Sequence, residues 1–290
     1  MFSAFVKLLR PQQWIKNLFL FIPIFFAGDL FELQKLQITG LGFIIFSIIA
    51  SSVYVINDIR DVNIDRNHPQ KKYRPLATGA IPIPLGYIIF ATLSIVGFLS
   101  AYLLNFSFFI VLLAYYSINI GYSFGLKNIS IIDLILVSVG FVLRVVSGGI
   151  LAGVTISHWL IIMVFLLSLV IVLAKRRDDM LESVKSGEAV RASSKRYNME
   201  FISSILTMLS AIIVVAYIMY TVSSQTVDNF NTDKLYLTSL FVVMGVLRYL
   251  QITLVDNKSG YPTRILYTDR FIQFTLFSWV LSFYVIIYYL

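Results

Sequence analysis

Long apolar runs alternate with short charged connections along the whole chain. Runs of roughly 17–23 residues can cross a hydrocarbon core of ~30 Å, because a helix rises ~1.5 Å per residue. The pattern lacks the strict polar–apolar alternation of a membrane barrel. We therefore expect an all-α, polytopic membrane protein that forms a single domain over residues 1–290. The nine predicted spans are residues 14–31, 38–57, 83–104, 107–123, 130–152, 159–175, 201–222, 234–254 and 271–289.

Basic residues occupy every second connection. Of the 23 Lys and Arg residues, 19 lie before or at the start of the first predicted span or after spans 2, 4, 6 and 8. Lys35 and Lys234 alone lie on the opposite side. The positive-inside rule then places the N-terminus in the cytoplasm and the C-terminus outside. We expect an integral protein of the cytoplasmic (inner) membrane whose active face is cytoplasmic, where the long loops 58–82 and 176–200 lie.

Composition narrows the chemistry. The chain is 58% hydrophobic and contains no cysteine, so thiol nucleophiles and zinc–thiolate sites are excluded. The basic residues behind the net charge of +8 lie mostly in the connections that the positive-inside rule places in the cytoplasm. They suit anionic lipids and phosphorylated substrates rather than nucleic acid.

Polar residues form a stripe where the second span meets water. Asn57, Asp61 and Asp65 recur every four residues, and Asp58 precedes Asp61 by three, so all four share one helix face. Three carboxylates so close together repel one another unless a cation neutralises them. Mg²⁺ is the expected cation, because it takes oxygen ligands and shares them with substrate phosphates. The alternative interpretation is a solvated helix end whose aspartates offset nearby Lys and Arg.

Basic side chains follow the stripe. Lys71, Lys72 and Arg74 can fold over a phosphate as the lid of a metal–phosphate site, although a positive-inside loop would supply the same charges. Later in the chain, Lys175, Arg176 and Arg177 directly precede two acidic residues, which favours a second anion or metal locus, with a topology signal as the alternative.

The fifth predicted span carries two charges. Asp133 enters the span, and Arg144 follows eleven residues later, ~16 Å deeper at 1.5 Å per residue. An arginine at that depth costs at least ~2.5 kcal/mol, so Arg144 should face a polar cavity or a partner carboxylate. A structural salt bridge and a contact to substrate remain equal alternatives.

These motifs, in this order, resemble the UbiA superfamily of intramembrane prenyltransferases, which implies nine helices around a central cavity. The first acidic motif of that family is matched by Asn57, Asp58, Asp61 and Asp65. The second is matched by Tyr122 and Lys127 with Asp133. Within the superfamily, the closer resemblance is to the decaprenyl-phosphate phosphoribosyltransferases. It is carried by residues 10–17, 57–79, 140–144, 175–179, 259–262 and 269–270, with Asp179 where that group is expected to have glutamate.

The resemblance implies a reaction. Mg²⁺ held by Asn57, Asp58, Asp61 and Asp65 would bind phosphoribosyl pyrophosphate, with the three aspartates as catalytic residues. A polyprenyl phosphate lipid would attack the anomeric carbon and release pyrophosphate. The candidate substrate-binding residues are Lys16, Asn57, Lys71, Lys72, Arg74, Tyr122, Lys127, Asp133, Arg144, Lys175 and Arg176.

Three other functions use the same features. An aromatic prenyltransferase, acting on a polyprenyl diphosphate and an aromatic acid or quinone precursor, would share the acidic stripe. A transporter would explain charges within spans, although its site is expected at the midplane rather than at the cytoplasmic boundary. A lipid-binding scaffold without catalysis would tolerate substitution of Asp58 and Asp61.

Overall fold

The computed structural model describes residues 2–67, 70–186, 192–260 and 262–289, and every regular element in these ranges is helical. The α-helices are α1 (Phe2–Leu9), α2 (Ile22–Phe26), α3 (Leu33–Arg66), α4 (Ile83–Leu104), α5 (Phe106–Ser123), α6 (Ile132–Ala152), α7 (His158–Ser186), α8 (Met199–Thr221), α9 (Ser224–Phe230), α10 (Ser239–Leu254), α11 (Pro262–Thr268) and α12 (Arg270–Tyr289). The 3₁₀ helices are Pro11–Phe21, Lys71–Tyr73, Leu126–Asn128, Ala192–Arg196 and Lys234–Thr238.

Eight segments within the described ranges are long and apolar enough to cross a membrane: α3 to α8, α10 with the 3₁₀ turn before it, and α12. The expected all-α integral membrane fold is therefore confirmed. Their bounds lie close to the predicted ones, and α4 spans residues 83–104 as predicted.

The first predicted span, residues 14–31, differs from the prediction. It consists of the 3₁₀ helix Pro11–Phe21 followed by the five-residue helix α2. Pro23 lacks an N–H group and so cannot donate the backbone bond that a continuous α-helix needs at this junction. Gly28, with φ of 78°, lies just beyond the end of α2. Apolar composition predicted a membrane segment here but could not specify its helix type.

Helix α3 carries the acidic stripe, as its four-residue spacing predicted. Its 34 residues rise about 51 Å, which exceeds a hydrocarbon core of ~30 Å. The charged C-terminal turns can therefore leave the apolar layer while remaining helical. The stripe is thus held on a rigid element rather than on a loop.

The helices divide into two compact units. Unit 1 comprises Met1–Lys127 and Val139–Ile156, and unit 2 comprises Asn128–Ser138 and Ser157–Leu290. In unit 1, α3 packs on α1, on the 3₁₀ helix Pro11–Phe21 and on the pair α4–α5. Its core includes the fully buried Phe46, Phe108 and Leu112. A single domain stays a prediction.

Unit 2 is built on the pairs α7–α8 and α10–α12, with α10 also packed on α8. Leu173, Ile202 and Leu206 lie in its main apolar cluster. Arg248 on α10 donates to Asp269 Oδ2 from Nε at 3.2 Å and from Nη2 at 2.7 Å. This ion pair ties α10 to the start of α12.

One close helix contact in unit 1 yields a stability prediction. A Cβ atom on Gly148 would lie 1.9 Å from the carbonyl oxygen of Leu20, whereas one on Gly40 would meet nothing within 4 Å. Gly148→Ala should destabilise the protein by about 1–3 kcal/mol through overpacking against backbone. Gly40→Ala should be neutral or stabilising by about 0.5–1 kcal/mol. Thermal unfolding in detergent measures both, and equal melting temperatures for the two variants would contradict the contact.

The Arg248–Asp269 pair yields a pH prediction. The hydrogen bond from Arg248 is the main cause that holds the pKa of Asp269 below its ordinary value of 3.8. A depressed folded-state pKa stabilises the fold above the unfolded-state value, and this stabilisation is lost as pH falls through the folded-state value. Asp269→Asn, which can still cap α12, should lower the melting temperature at pH 7. The gap should narrow below about pH 4; a gap that does not change with pH would refute the prediction.

Candidate active site

The acidic stripe on α3 is mostly hidden from solvent. Asp58 and Asp65 are each 2% exposed, and Asp61 and Asn57 are half-buried. A carboxylate taken out of water is costly unless its charge is balanced. Two buried acids separated by two helical turns therefore require positive charge close by.

Two arginines supply charge to the buried acids. Arg10 Nη2 lies 2.5 Å from Asp58 Oδ1. Arg74 Nη1 lies 3.0 Å from the same oxygen and 2.6 Å from Asp65 Oδ2. The two carboxylates thus converge on a single cationic nitrogen.

A lysine balances the third acid. Lys127 Nζ lies 2.7 Å from Asp61 Oδ1 and 2.9 Å from Oδ2. Asn57 donates to Asp61 Oδ2 at 3.2 Å, so the amide orients the carboxylate from the preceding turn. All four residues of the predicted stripe are therefore hydrogen-bonded, in two groups on one helix face: Asn57 and Asp61 with Lys127, and Asp58 and Asp65 with Arg10 and Arg74. We call the two groups together the polar cluster.

In this structure three side chains place positive charge beside the acids. The metal role of the stripe stays a prediction. The interpretation of the aspartates as partners of Lys and Arg is correct to that extent. It is wrong about solvation, because two of the three carboxylates are buried rather than solvated. The cluster is an alternating arrangement of acids and cations at the end of α3.

Local structure places each cation. Arg10 lies between α1 and the 3₁₀ helix in a left-handed conformation, with φ of 54° and ψ of 55°, which costs a non-glycine residue about 1–2 kcal/mol. Its guanidinium also lies 5.3 Å from the centroid of the Tyr54 ring. The residue with this strained backbone is the one whose side chain contacts Asp58.

Apolar packing fixes the loop that holds Arg74. Leu76 is 1% exposed and packs in a cluster with Ile59 and Val62 on α3. Backbone bonds from Thr78 N to Arg74 O and from Ile81 N to Pro75 O close the loop. Lys127 lies in the 3₁₀ turn Leu126–Asn128, after Gly125 with φ of 135°.

Three other predicted residues also belong to unit 1. Lys71 and Lys72 are exposed, and Lys72 Nζ lies 5.3 Å from the centroid of the Tyr73 ring. Tyr122 is half-buried near the end of α5. A lid role for the two lysines stays a prediction.

Arg144 is buried in unit 1 at 4% exposure among neutral partners. It donates from Nε to Asn17 Oδ1 at 2.8 Å, from Nη1 to Gly140 O at 2.7 Å and from Nη2 to the Tyr115 hydroxyl at 3.0 Å. The partner carboxylate considered from sequence is not found among the described residues. Lys16, the neighbour of Asn17, is half-buried.

In unit 2, Asp133 and Arg176 bind each other. Arg176 Nε donates to Asp133 Oδ2 at 3.1 Å, and Ser193 Oγ donates to the same oxygen at 3.0 Å. Arg176 also reaches Asp179 at 3.2 Å, while Lys175 is exposed. A salt bridge that joins α6 to α7 explains why Asp133 is tolerated within a span. A substrate role for these residues stays a prediction.

Sequence reasoning left three contributors out of the proposed site: Arg10, Asn17 and Tyr115. Arg10 was read as a topology signal, because any basic residue before a span satisfies the positive-inside rule. Asn17, like Arg10, lies in residues 10–17, which carry part of the family resemblance, but it was not assigned to the site. Tyr115 carries no local signal, since it is recognisable only by its contact with Arg144.

The oxygen atoms of the stripe residues show whether the site suits a metal ion. Within the described residues, no three acidic or histidine side chains are already arranged around one point as a metal site requires. However, Asp58 and Asp65 each place an oxygen within 3.0 Å of Arg74 Nη1, so they converge on one positive atom. Carboxylate and amide oxygens are the donors that Mg²⁺ takes, so the residues fit this ion in chemical type.

Comparisons with known proteins agree with the residue pattern. The chain is 29% identical over 288 residues to the decaprenyl-phosphate phosphoribosyltransferase of Mycolicibacterium smegmatis, covering 96% of this chain and 90% of that protein. It is 30% identical over 285 residues to the enzyme of the same name from Corynebacterium glutamicum, covering 96% and 85%.

The fold also has solved counterparts. A UbiA homolog from Archaeoglobus fulgidus bound to GPP and Mg²⁺ superposes with a TM-score of 0.75 at 20% identity, covering 98% of this chain and 99% of that one. The model of the UbiA prenyltransferase family matches residues 18–274. The chain belongs to the UbiA prenyltransferase family and is a transferase.

Proposed function

We propose that this protein transfers 5-phosphoribose from phosphoribosyl pyrophosphate to a polyprenyl phosphate at the cytoplasmic membrane face. The observation that carries the proposal is the cluster of three aspartates and three cations on and around α3. A diphosphate with a divalent ion can exchange with these pairs, because phosphate oxygens replace carboxylates at the cations. The names of the full-length relatives support the same donor and acceptor.

Magnesium is the proposed cofactor. Asn57, Asp58, Asp61 and Asp65 would hold it, and when bound it would supply positive charge to the departing diphosphate. The archaeal UbiA homolog bound to GPP and Mg²⁺ supports the use of a divalent ion in this fold.

The chain's own cations would act on the leaving group. Arg10, Arg74 and Lys127 are already oriented by carboxylates, so little reorganisation is needed when a diphosphate arrives. Arg74 suits bidentate contact with phosphate oxygens, and Lys127 offers a compact charge. These side chains stabilise the negative charge that develops on pyrophosphate as its bond to the anomeric carbon breaks.

The acceptor needs no activation by a base. A phosphate monoester is an anion at neutral pH, and one of its oxygens forms the new bond to the anomeric carbon. The electron pair of the broken bond leaves with pyrophosphate. This balance agrees with a chain that has no cysteine and with a candidate site that lacks histidine.

A second candidate is transfer of a prenyl group from a polyprenyl diphosphate to an aromatic acid. The A. fulgidus homolog bound to GPP favours this alternative, since the same cluster can hold either diphosphate. The two functions differ in the group that is transferred and in the molecule that accepts it.

A paired assay separates the two functions. Purified protein in detergent with Mg²⁺ receives either labelled phosphoribosyl pyrophosphate with a polyprenyl phosphate, or a polyprenyl diphosphate with an aromatic acid. Product is expected from the first pair, and EDTA should abolish it. Product from the second pair alone would replace the proposed function by the alternative.

A matched pair of carboxylate variants tests the cluster. Asp61 and Asp29 each pair with a lysine, at 2.7 Å and 2.5 Å respectively. Asp61→Asn should lower turnover about 100-fold or more, because it removes a charge that the metal–diphosphate site requires. Asp29→Asn serves as the control and should remain within about twofold of wild type. Near-normal turnover in a folded Asp61→Asn variant, checked by thermal melting, would refute the catalytic role.

A further inference from the structure

One buried hydroxyl contacts the chain on both sides of Arg10. Ser51 lies on α3 and is 1% exposed. Its Oγ donates to the carbonyl oxygen of Leu9 at 2.9 Å and accepts from Nε1 of Trp14 at 3.0 Å. Leu9 immediately precedes Arg10, and Trp14 lies one helical turn after it. Ser51 thus holds the segment from which the side chain of Arg10 projects.

The backbone that Ser51 holds is strained. Arg10 has φ of 54° and ψ of 55°, in the left-handed region that a residue other than glycine rarely adopts. It also precedes Pro11, and a residue before proline prefers extended backbone. A conformation of this kind persists only where the surrounding contacts over-determine it. Relaxation of Arg10 to extended backbone would change the direction in which its side chain projects.

The same face of α3 holds the side chain of Arg10. Tyr54 and Asp58 follow Ser51 by one and two helical turns, so the three lie on one helix face. The centroid of the Tyr54 ring is 5.3 Å from Cζ of Arg10, and Asp58 Oδ1 is 2.5 Å from its Nη2. The hydroxyl holds the backbone, the ring lies against the guanidinium, and the carboxylate binds it. One helix face therefore determines where this cation lies in the polar cluster.

A hydroxyl suits the position of Ser51, because it offers one proton and two lone pairs. The proton goes to the carbonyl oxygen of Leu9, and a lone pair accepts the indole N–H of Trp14, which can only donate. Ser52 is equally buried, but its Oγ donates to the carbonyl oxygen of Ile49 at 2.8 Å, within α3 itself. The two neighbouring serines form a matched pair: Ser51 bridges to the N-terminal segment, and Ser52 bonds within its own helix.

We propose that Ser51 is a positioning residue for the transfer. Through Leu9 and Trp14 it keeps Arg10 in the left-handed conformation that directs the guanidinium to the acidic stripe, where the diphosphate of the donor binds. This inference rests on the proposed function and adds a residue that acts on the diphosphate entirely through Arg10. A purely structural role, in which the hydroxyl only satisfies the last carbonyl of α1, predicts no such dependence on Arg10.

Binding of magnesium pyrophosphate tests the role without requiring turnover. Calorimetry on the purified protein in detergent with excess Mg²⁺ measures the affinity for pyrophosphate, the group that both candidate reactions release. Ser51→Ala should weaken binding at least about fivefold, because a misplaced Arg10 loses charge-assisted hydrogen bonds to phosphate oxygens. Ser52→Ala is the matched control and should stay within about twofold of wild type. Equal affinities of the two variants would overturn the proposal.

A double-mutant cycle with Arg10→Gln separates positioning from a general loss of structure. Arg10→Gln should itself weaken pyrophosphate at least about tenfold. When added to Arg10→Gln, Ser51→Ala should change the affinity by less than about twofold, because its effect passes through the missing guanidinium. Losses that multiply would show that Ser51 acts independently of Arg10, and the proposal would then be wrong.

Trp14→Phe is a milder second variant in case thermal melting shows that Ser51→Ala does not fold. It keeps an aromatic ring and removes the N–H that binds Ser51. It should weaken pyrophosphate about two- to fivefold on its own and have no further effect beside Arg10→Gln. An unchanged affinity, or an equal loss in both backgrounds, would contradict the positioning role.

Turnover distinguishes this inference from the function on which it rests. With phosphoribosyl pyrophosphate and a polyprenyl phosphate, Ser51→Ala should lower the donor kcat/KM and leave the acceptor KM within about twofold of wild type. If the pyrophosphate cycle gives the expected result but no phosphoribose is transferred, the proposed function fails while the positioning role stands. If phosphoribose is transferred but the two serine variants behave alike, the positioning role fails alone.

Discussion

Burial of carboxylates against arginine is the constraint on which unit 1 depends. Asp58 and Asp65 are each 2% exposed and share the guanidinium of Arg74. Removal of one partner from a buried ion pair typically costs about 3–5 kcal/mol, because the remaining charge has no water to solvate it. The position of the loop after α3 is therefore coupled to the charge of the stripe.

The cations reach the stripe from three separate parts of the chain. Arg10 and Lys127 lie 48 and 66 residues from the aspartates that they contact, and Arg74 lies 16 residues from Asp58 and 9 from Asp65. Each is held by its own local device: a left-handed residue before a 3₁₀ helix, an apolar anchor at Leu76, and a tight turn after Gly125. Independent anchoring keeps the positive charges in place when the acids change partners, as the proposed function requires.

A further buried cation of unit 1, Arg144, has only neutral hydrogen-bond partners among those described. Arg144 is bound by an amide, a phenol and a backbone carbonyl, none of which cancels its charge. The cations of unit 1 thus differ in kind. Arg10, Arg74 and Lys127 are balanced by acids, whereas Arg144 is not.

Features set by contacts between residues close in sequence could be predicted, and those set by contacts between distant residues could not. The bounds of α4 and the helical phase of residues 57–65 followed from periodicity and length, because hydrogen bonds within a helix are local. The 3₁₀ form of residues 11–21 did not follow, since apolar composition is the same for either helix type. The partners of Arg144 did not follow either, because they are neutral groups that no charge pattern marks. The partner of Asp133 did not follow because several basic side chains were available for it.

The sequence by itself determined a helical membrane protein, its family resemblance and the acidic face at the end of one span. Those features depend on apolar length and on residue spacing within single helices. Only the tertiary structure decided that Arg10, Arg74 and Lys127 neutralise the acids, that Arg144 has neutral partners and that Asp133 binds Arg176. Apart from the bond of Arg144 to Gly140, one helical turn away, these pairings join residues 9–127 positions apart. Packing therefore selects them rather than any local pattern.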